Sequence, residues 1–193
     1  KLRILVVDKK LPATRYHLVQ GLIHVRISVA EKFANCAGIG GGDAAPGGVT
    51  VMTPMLKIAI VPVTPFQQNC SLLRCEQTGR AALVDPGGDV ERLLAELDRL
   101  QAEPEKIFLT HGHMDHCSGA DALRQQLGIP IEGPHEADRF WIDQLPQWAG
   151  QMGMEPSQPF EPDRWLQQGD TVRFGAQELA VLHCPGHTPG HVV

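Results

Sequence analysis

The string Thr110-His111-Gly112-His113-Met114-Asp115-His116 follows directly on the apolar run Ile107-Phe108-Leu109, and Pro185-Gly186-His187-Thr188 answers it far downstream. This pairing constrains the fold more than any other feature. A buried strand must empty into a loop, and a second segment must return to the same place. Nitrogen from His and oxygen from Asp are donors that zinc and other borderline or hard divalent cations take. His111 and His113 are two residues apart, so in extended backbone they project to one side. Asp115 and His116 come one turn later and would point at a neighbouring position. Two ligand pairs and one distant His fit two metal ions better than one. The plainer alternative is a set of hydrogen-bonded histidines, and pairs spaced i, i+2 do arise by chance. The whole string in a chain with 9 His is a stronger signal. A buried imidazole cluster without metal would leave polar groups unpaired.

The flanking pattern is that of a mixed α/β domain. Lys57–Val63 and Asn69–Cys75 read as strands, and Gln77-Thr78-Gly79-Arg80 as the turn into a strand at Ala81–Val84. Asp89 is placed to cap a helix whose apolar face is Val90, Leu93, Leu94, Leu97 and Leu100. Ile107–Thr110 is a short buried strand, and Ser118–Leu127 a helix ended by Gly128. Residues 134–168 hold all 3 Trp and read as a helical and irregular insertion. Thr171–Phe174 and Glu178–His183 return as strands that deliver the second motif. Upstream, residues 38–49 are rich in Gly, Ala and Pro and read as a flexible linker. Residues 1–54 therefore form an N-terminal extension to which the sequence assigns no function, and 55–193 form the domain.

Charge and composition exclude several classes. Residues 1–54 carry 7 Lys+Arg against 3 Asp+Glu, and the remainder 10 against 19. A net charge of -9 over residues 55–193 offers no electrostatic footprint for nucleic acid. The 5 Cys stand at 36, 70, 75, 117 and 184 without a Cys-x-x-Cys pair, which excludes a zinc ribbon and a thioredoxin-like motif. Cys117 and Cys184 sit beside proposed ligands, and a thiolate there is a competing ligand. No apolar run approaches the ~18 residues of a membrane span, and Lys1–Asp8 is too short for a signal peptide. The expected location is cytoplasmic, with no membrane partner.

His111-Gly112-His113-Met114-Asp115-His116 resembles the signature of the metallo-β-lactamase-fold hydrolases. Pro185-Gly186-His187-Thr188-Pro189-Gly190-His191 looks like their second metal motif, and Asp85-Pro86-Gly87 like their early Asp turn. Gln68-Asn69-Cys70-Ser71-Leu72 and Asp163-Arg164-Trp165-Leu166 are similar to the glyoxalase II (hydroxyacylglutathione hydrolase) branch, in its compact bacterial form. The resemblance runs from about Met55 to the last residue. It implies an αββα sandwich of two sheets flanked by helices, incomplete at its C-terminal side. It implies that His111, His113 and His187 bind a first metal, and Asp115 and His116 a second. A bridging Asp and a last His would follow Val193. Asp85 would orient a ligand His, although an Asx turn ahead of Pro86 explains it almost as well. His183 and His191 would be structural, with Gly186 and Gly190 permitting the tight backbone around His187. His17, His24 and His135 would be surface residues.

The implied cofactor is zinc, two ions in the full-length protein, with iron or manganese as alternatives. The implied reaction is hydrolysis of a small-molecule thioester, such as a glutathione conjugate of the S-lactoylglutathione type. Asp115 would be a ligand, or a general base when only the first site is filled. Persulfide oxidation, lactone hydrolysis and an inactive fragment are the competing readings. β-Lactam hydrolysis ranks below them.

Overall fold

The computed structural model describes residues 56–153 and 157–193. The N-terminal extension, its linker at 38–49, and His17 and His24 lie outside the described residues.

Five strands form one mixed sheet in the order β1-β2-β3-β4-β5: Leu56–Val63, Gln68–Cys75, Arg80–Val84, Glu103–Phe108 and Ile131–Glu132. The first three pair antiparallel, and β3-β4 and β4-β5 pair parallel. Helix α1 (Val90–Arg99) makes the crossover that a parallel β3-β4 pair requires. Period-2 alternation splits the side chains of this sheet between two cores. Val61, Val63, Cys70, Leu72, Ala81, Leu83 and Ile107 face one way, against Leu93 and Leu97 of α1, Leu123 of α3 (Ala120–Leu127) and Leu145 of α5 (Leu145–Gln151). Leu73, Cys75, Ala82, Val84 and Phe108 face the other way. They meet Val172 and Phe174 of β6 (Thr171–Phe174), Val181 and Val192. Phe108 and Phe174 lie edge to face at 6.2 Å. β6 forms a hairpin with β7 (Gln177–Ala180), continued by a bridge between His183 and Val192. The described residues thus build a helical layer, a five-stranded sheet and part of a second sheet. The outer helical layer of an αββα sandwich is not among them.

Local differences from expectation have simple causes. The strand expected at Ile107–Thr110 ends at Phe108, because the chain turns into the histidine loop. Asp89 stands at the N-cap of α1 in left-handed conformation, φ 50°, but makes no side-chain cap. Its carboxylate instead accepts the Thr64 N–H at 2.9 Å, holding the β1–β2 loop. The helix expected from Ser118 begins at Ala120. A separate turn, α2 (Met114–Cys117), carries Asp115 and His116. The insertion holds a 3-10 turn at Glu136–Asp138, α4 (Arg139–Asp143) and α5.

Candidate metal centre

β4 ends one residue before Leu109, and the chain then runs through Thr110 and His111 into α2, which starts after His113. The second motif arrives on the loop between the His183 and Val192 bridge residues. Val192 N–H donates to Thr110 O at 2.8 Å, so backbone ties the two loops together. Ligand atoms of His111, His113 and His187 all lie within 4.8 Å of one another. Nitrogens ~2.0–2.1 Å from one tetrahedral ion stand roughly 3.4 Å apart, so small ring rotations close the cluster. Ring centroids are 4.8 Å apart for each pair among these three.

The electrostatics suit a cation. His111 is buried, with Nδ1 2.9 Å from Thr110 Oγ1, and its Nε2 is buried without a partner. An orphaned nitrogen in such a place has a lone pair to give. Burial, followed by the neighbouring imidazoles His116, His113, His191 and His187, pushes His111 far below the usual histidine range. Burial and then His187 lower His113. Neutral imidazoles at neutral pH are the ligand form. The residues present therefore fit a divalent metal.

His116 and Asp115 lie beside this cluster. His116 Nε2 is 3.6 Å from Asp115 Oδ2, and the rings of His111 and His116 are 4.0 Å apart. Asp85, with no exposed surface, accepts Thr110 N–H at 2.7 Å and Thr110 Oγ1–H at 2.6 Å. It also receives His116 Nδ1–H at 3.0 Å. Burial lowers the His116 pKa, but the hydrogen bond and charge of Asp85, with Asp115, outweigh it and raise the net value. Nδ1–H directed at Asp85 leaves Nε2 for a metal. Gln68 Nε2 is 3.3 Å from the same Nδ1, a contact that is not a hydrogen bond in that tautomer. Asp85, His111 and His116 form a second group with convergent donor atoms. All three hydrogen bonds to Asp85 favour an orienting carboxylate over a ligand.

His191 lies beside the cluster, 5.0 Å from His111 and 5.9 Å from His187 between centroids. His135 and His183 stack on each other at 4.1 Å, away from it. Cys117 is fully buried and its thiol donates to Gly112 O and His113 O, with burial raising its pKa well above normal. That is a structural thiol. Gly186 has open space where a Cβ would stand, so it is not required by close packing; Gly190 is.

Two contributors were not legible in the motifs. Trp141 packs edge-on against His113 at 4.5 Å. Asp138, with no exposed surface, accepts Gly112 N–H at 2.9 Å, Thr188 Oγ1–H at 2.7 Å and Gly190 N–H at 2.6 Å. Only the mixture of charge and apolar residues in Glu136–Ile142 marks this stretch, and that pattern is common to surface turns.

A mixed sheet whose strand ends present a histidine cluster between two loops defines a metal-binding α/β domain. The chain belongs to the metallo-β-lactamase superfamily, whose model matches residues 63–193. Hydroxyacylglutathione hydrolase GloC of Haemophilus influenzae is 42% identical over 138 residues, 71% of this chain and 65% of that protein. A hydroxyacylglutathione hydrolase of Serratia proteamaculans is 31% identical over 134 residues, 69% of this chain and 45% of that one. Among solved structures, the B3 metallo-β-lactamase BLEG-1 superposes with a TM-score of 0.62 at 34% identity, covering 70% of this chain and 65% of that one. TTHA1623, solved in a di-iron-bound form, gives 0.61 at 34% identity, with 69% and 64% covered. The chain spans less than two thirds of the length of each of these relatives.

Proposed function

We propose that the protein containing this chain is a metal-dependent hydrolase that cleaves thioesters of the hydroxyacylglutathione type. The observation that carries the reading is the convergence of His111, His113 and His187, with Asp115 and His116 alongside. The 42% identity to a hydroxyacylglutathione hydrolase supports the substrate class. In this reading His111, His113 and His187 hold the first metal, Asp115 and His116 contribute to a second, and Asp85 orients His116. Bound there, a divalent ion such as zinc lowers the pKa of water from ~15.7 toward ~7 and polarises an acyl carbonyl. His111 and His113 are kept neutral by burial, so their lone pairs are available at neutral pH. Asp115, with 29% of its side chain exposed, can reach a substrate-side water and take its proton when the second site is empty. Trp141 packs edge to face with His113 and helps to fix the orientation of that ring. A thioester suits a site without an evident general acid, because a thiol of pKa near ~8.5 departs as thiolate.

The test uses the full-length protein. Hydrolysis of S-lactoylglutathione should require metal, vanish with a chelator and return with zinc. His113→Ala should abolish both tight metal binding and turnover, and His135→Ala should preserve both. Equal damage from the two variants would mean that the loop serves folding rather than chemistry. A second reading, β-lactam opening at the same cluster, draws on the 34% identity to BLEG-1. A β-lactam turned over faster than any thioester would favour it.

A further inference from the structure

The two loops that carry the histidines come from distant parts of the chain, and one buried carboxylate spans them. Asp138 is 26 residues from Gly112 on one side, and 50 and 52 residues from Thr188 and Gly190 on the other. Its Oδ2 accepts from Gly112, between His111 and His113, and from Thr188, next to His187. Its Oδ1 accepts from Gly190. We infer that Asp138 is a positioning residue that locks the two halves of the histidine cluster in register before any metal arrives, and so sets metal affinity. This inference rests on the metal-site reading given above.

Two features make the carboxylate, rather than mere bulk, the active part. First, three donors converge on two oxygens, and an ionised carboxylate accepts at both, whereas an amide accepts at one. Second, the fit is tight from both sides. A Cβ on Gly190 would lie 2.6 Å from Asp138 Cγ, and one on Gly112 would lie 2.9 Å from Asp138 O and 2.8 Å from Trp141 Cβ. The glycine inside each histidine motif is thus matched to Asp138 and its neighbours. Without the strut, closing the two loops onto one ion would draw on the binding free energy of that ion. The fold itself has other ties across this junction, Val192 N–H to Thr110 O at 2.8 Å and His135 N–H to Gly190 O at 3.1 Å.

The experiment is a zinc titration of the metal-stripped full-length protein against a chromophoric chelator, with circular dichroism to monitor folding. Asp138→Asn should stay folded and bind zinc about 10–100-fold more weakly, the range for losing a partner that orients metal ligands. Thr188→Val should weaken binding by a smaller factor, and Thr188→Ser, which keeps the hydroxyl, should restore it. Glu136→Gln, at an exposed ion pair with Arg139, should match the unaltered protein. A folded Asp138→Asn protein with affinity within about twofold of the unaltered one would overturn the inference alone. Should Asp138→Asn fail to fold, the Thr188 pair decides, and equal affinities for Val and Ser would overturn it. An unaltered protein that binds no zinc would overturn the metal-site reading and this inference together.

Discussion

At Asp85 the backbone is left-handed, φ 54°, a conformation that Asp tolerates better than most residues. The turn aims both carboxylate oxygens back at Thr110 and His116. Asp85→Asn keeps the shape and the turn but replaces one acceptor by an NH2 donor. With the remaining oxygen held by Thr110 N–H, the amide would face His116 Nδ1 as a donor, and the imidazole proton would move to Nε2. The expected outcome is a folded protein whose His116 tautomer is reversed, with second-site metal affinity reduced about 10–100-fold. Long-range 1H–15N spectra of the histidines read the tautomer directly. An unchanged His116 signal would show that Asp85 only shapes the turn, the alternative that the sequence left open.

Elements meet most tightly where the turn after β3 passes beneath α2. A Cβ on Gly87 would fall 1.6 Å from the Asp115 carbonyl oxygen, and Gly119 N–H donates to Pro86 O at 3.0 Å. The turn therefore supports the helix that presents Asp115 and His116. Gly87→Ala cannot be absorbed by a side-chain rotation, since the clash is with backbone. Its cost should reach or exceed about 3 kcal/mol, the upper end of ordinary overpacking. Guanidinium denaturation measures this, and a loss below about 1 kcal/mol would mean that α2 shifts freely.

For the whole molecule, the histidine cluster links stability to pH. Burial, the leading cause, lowers His111, His113 and His191 in the folded protein. In the unfolded chain they titrate near ~6.5. As pH falls below that value the unfolded chain takes up protons that the folded protein does not. Their contribution is therefore full above about pH 6.5 and is lost as pH falls toward the folded values. His116 runs the other way: its pKa is raised on folding, so its contribution is full at low pH and is lost as pH rises through the folded value. Three groups oppose one. The metal-free protein should lose melting temperature between about pH 7.5 and about pH 5.5, and zinc should steepen the loss because protons compete for the same nitrogens. A flat or rising Tm over that interval would contradict the burial of these imidazoles.

The amino-acid sequence alone determined the elements with strong periodicity. Leu93 and Leu97 lie on the buried face of α1 as their spacing required, whereas the near-continuous apolar runs of β1 to β3 marked strands without saying which residue faces which core. It also marked His111 and His113, a loop pair after a buried strand, while the resemblance of Pro185–His191 to a second metal motif marked His187. Short elements escaped it. β5 has two residues, and Met114–Cys117 is a single turn, too short for any period to register. Only the tertiary structure decided which side chains hold the cluster together. Asp138 reaches its partners across 26 to 52 residues, and its hydrogen bonds go partly to backbone N–H groups, which every residue but proline carries. Nothing in its neighbours distinguishes it from an exposed Asp in a helical turn. Its role follows from burial, which a sequence pattern of this length does not encode.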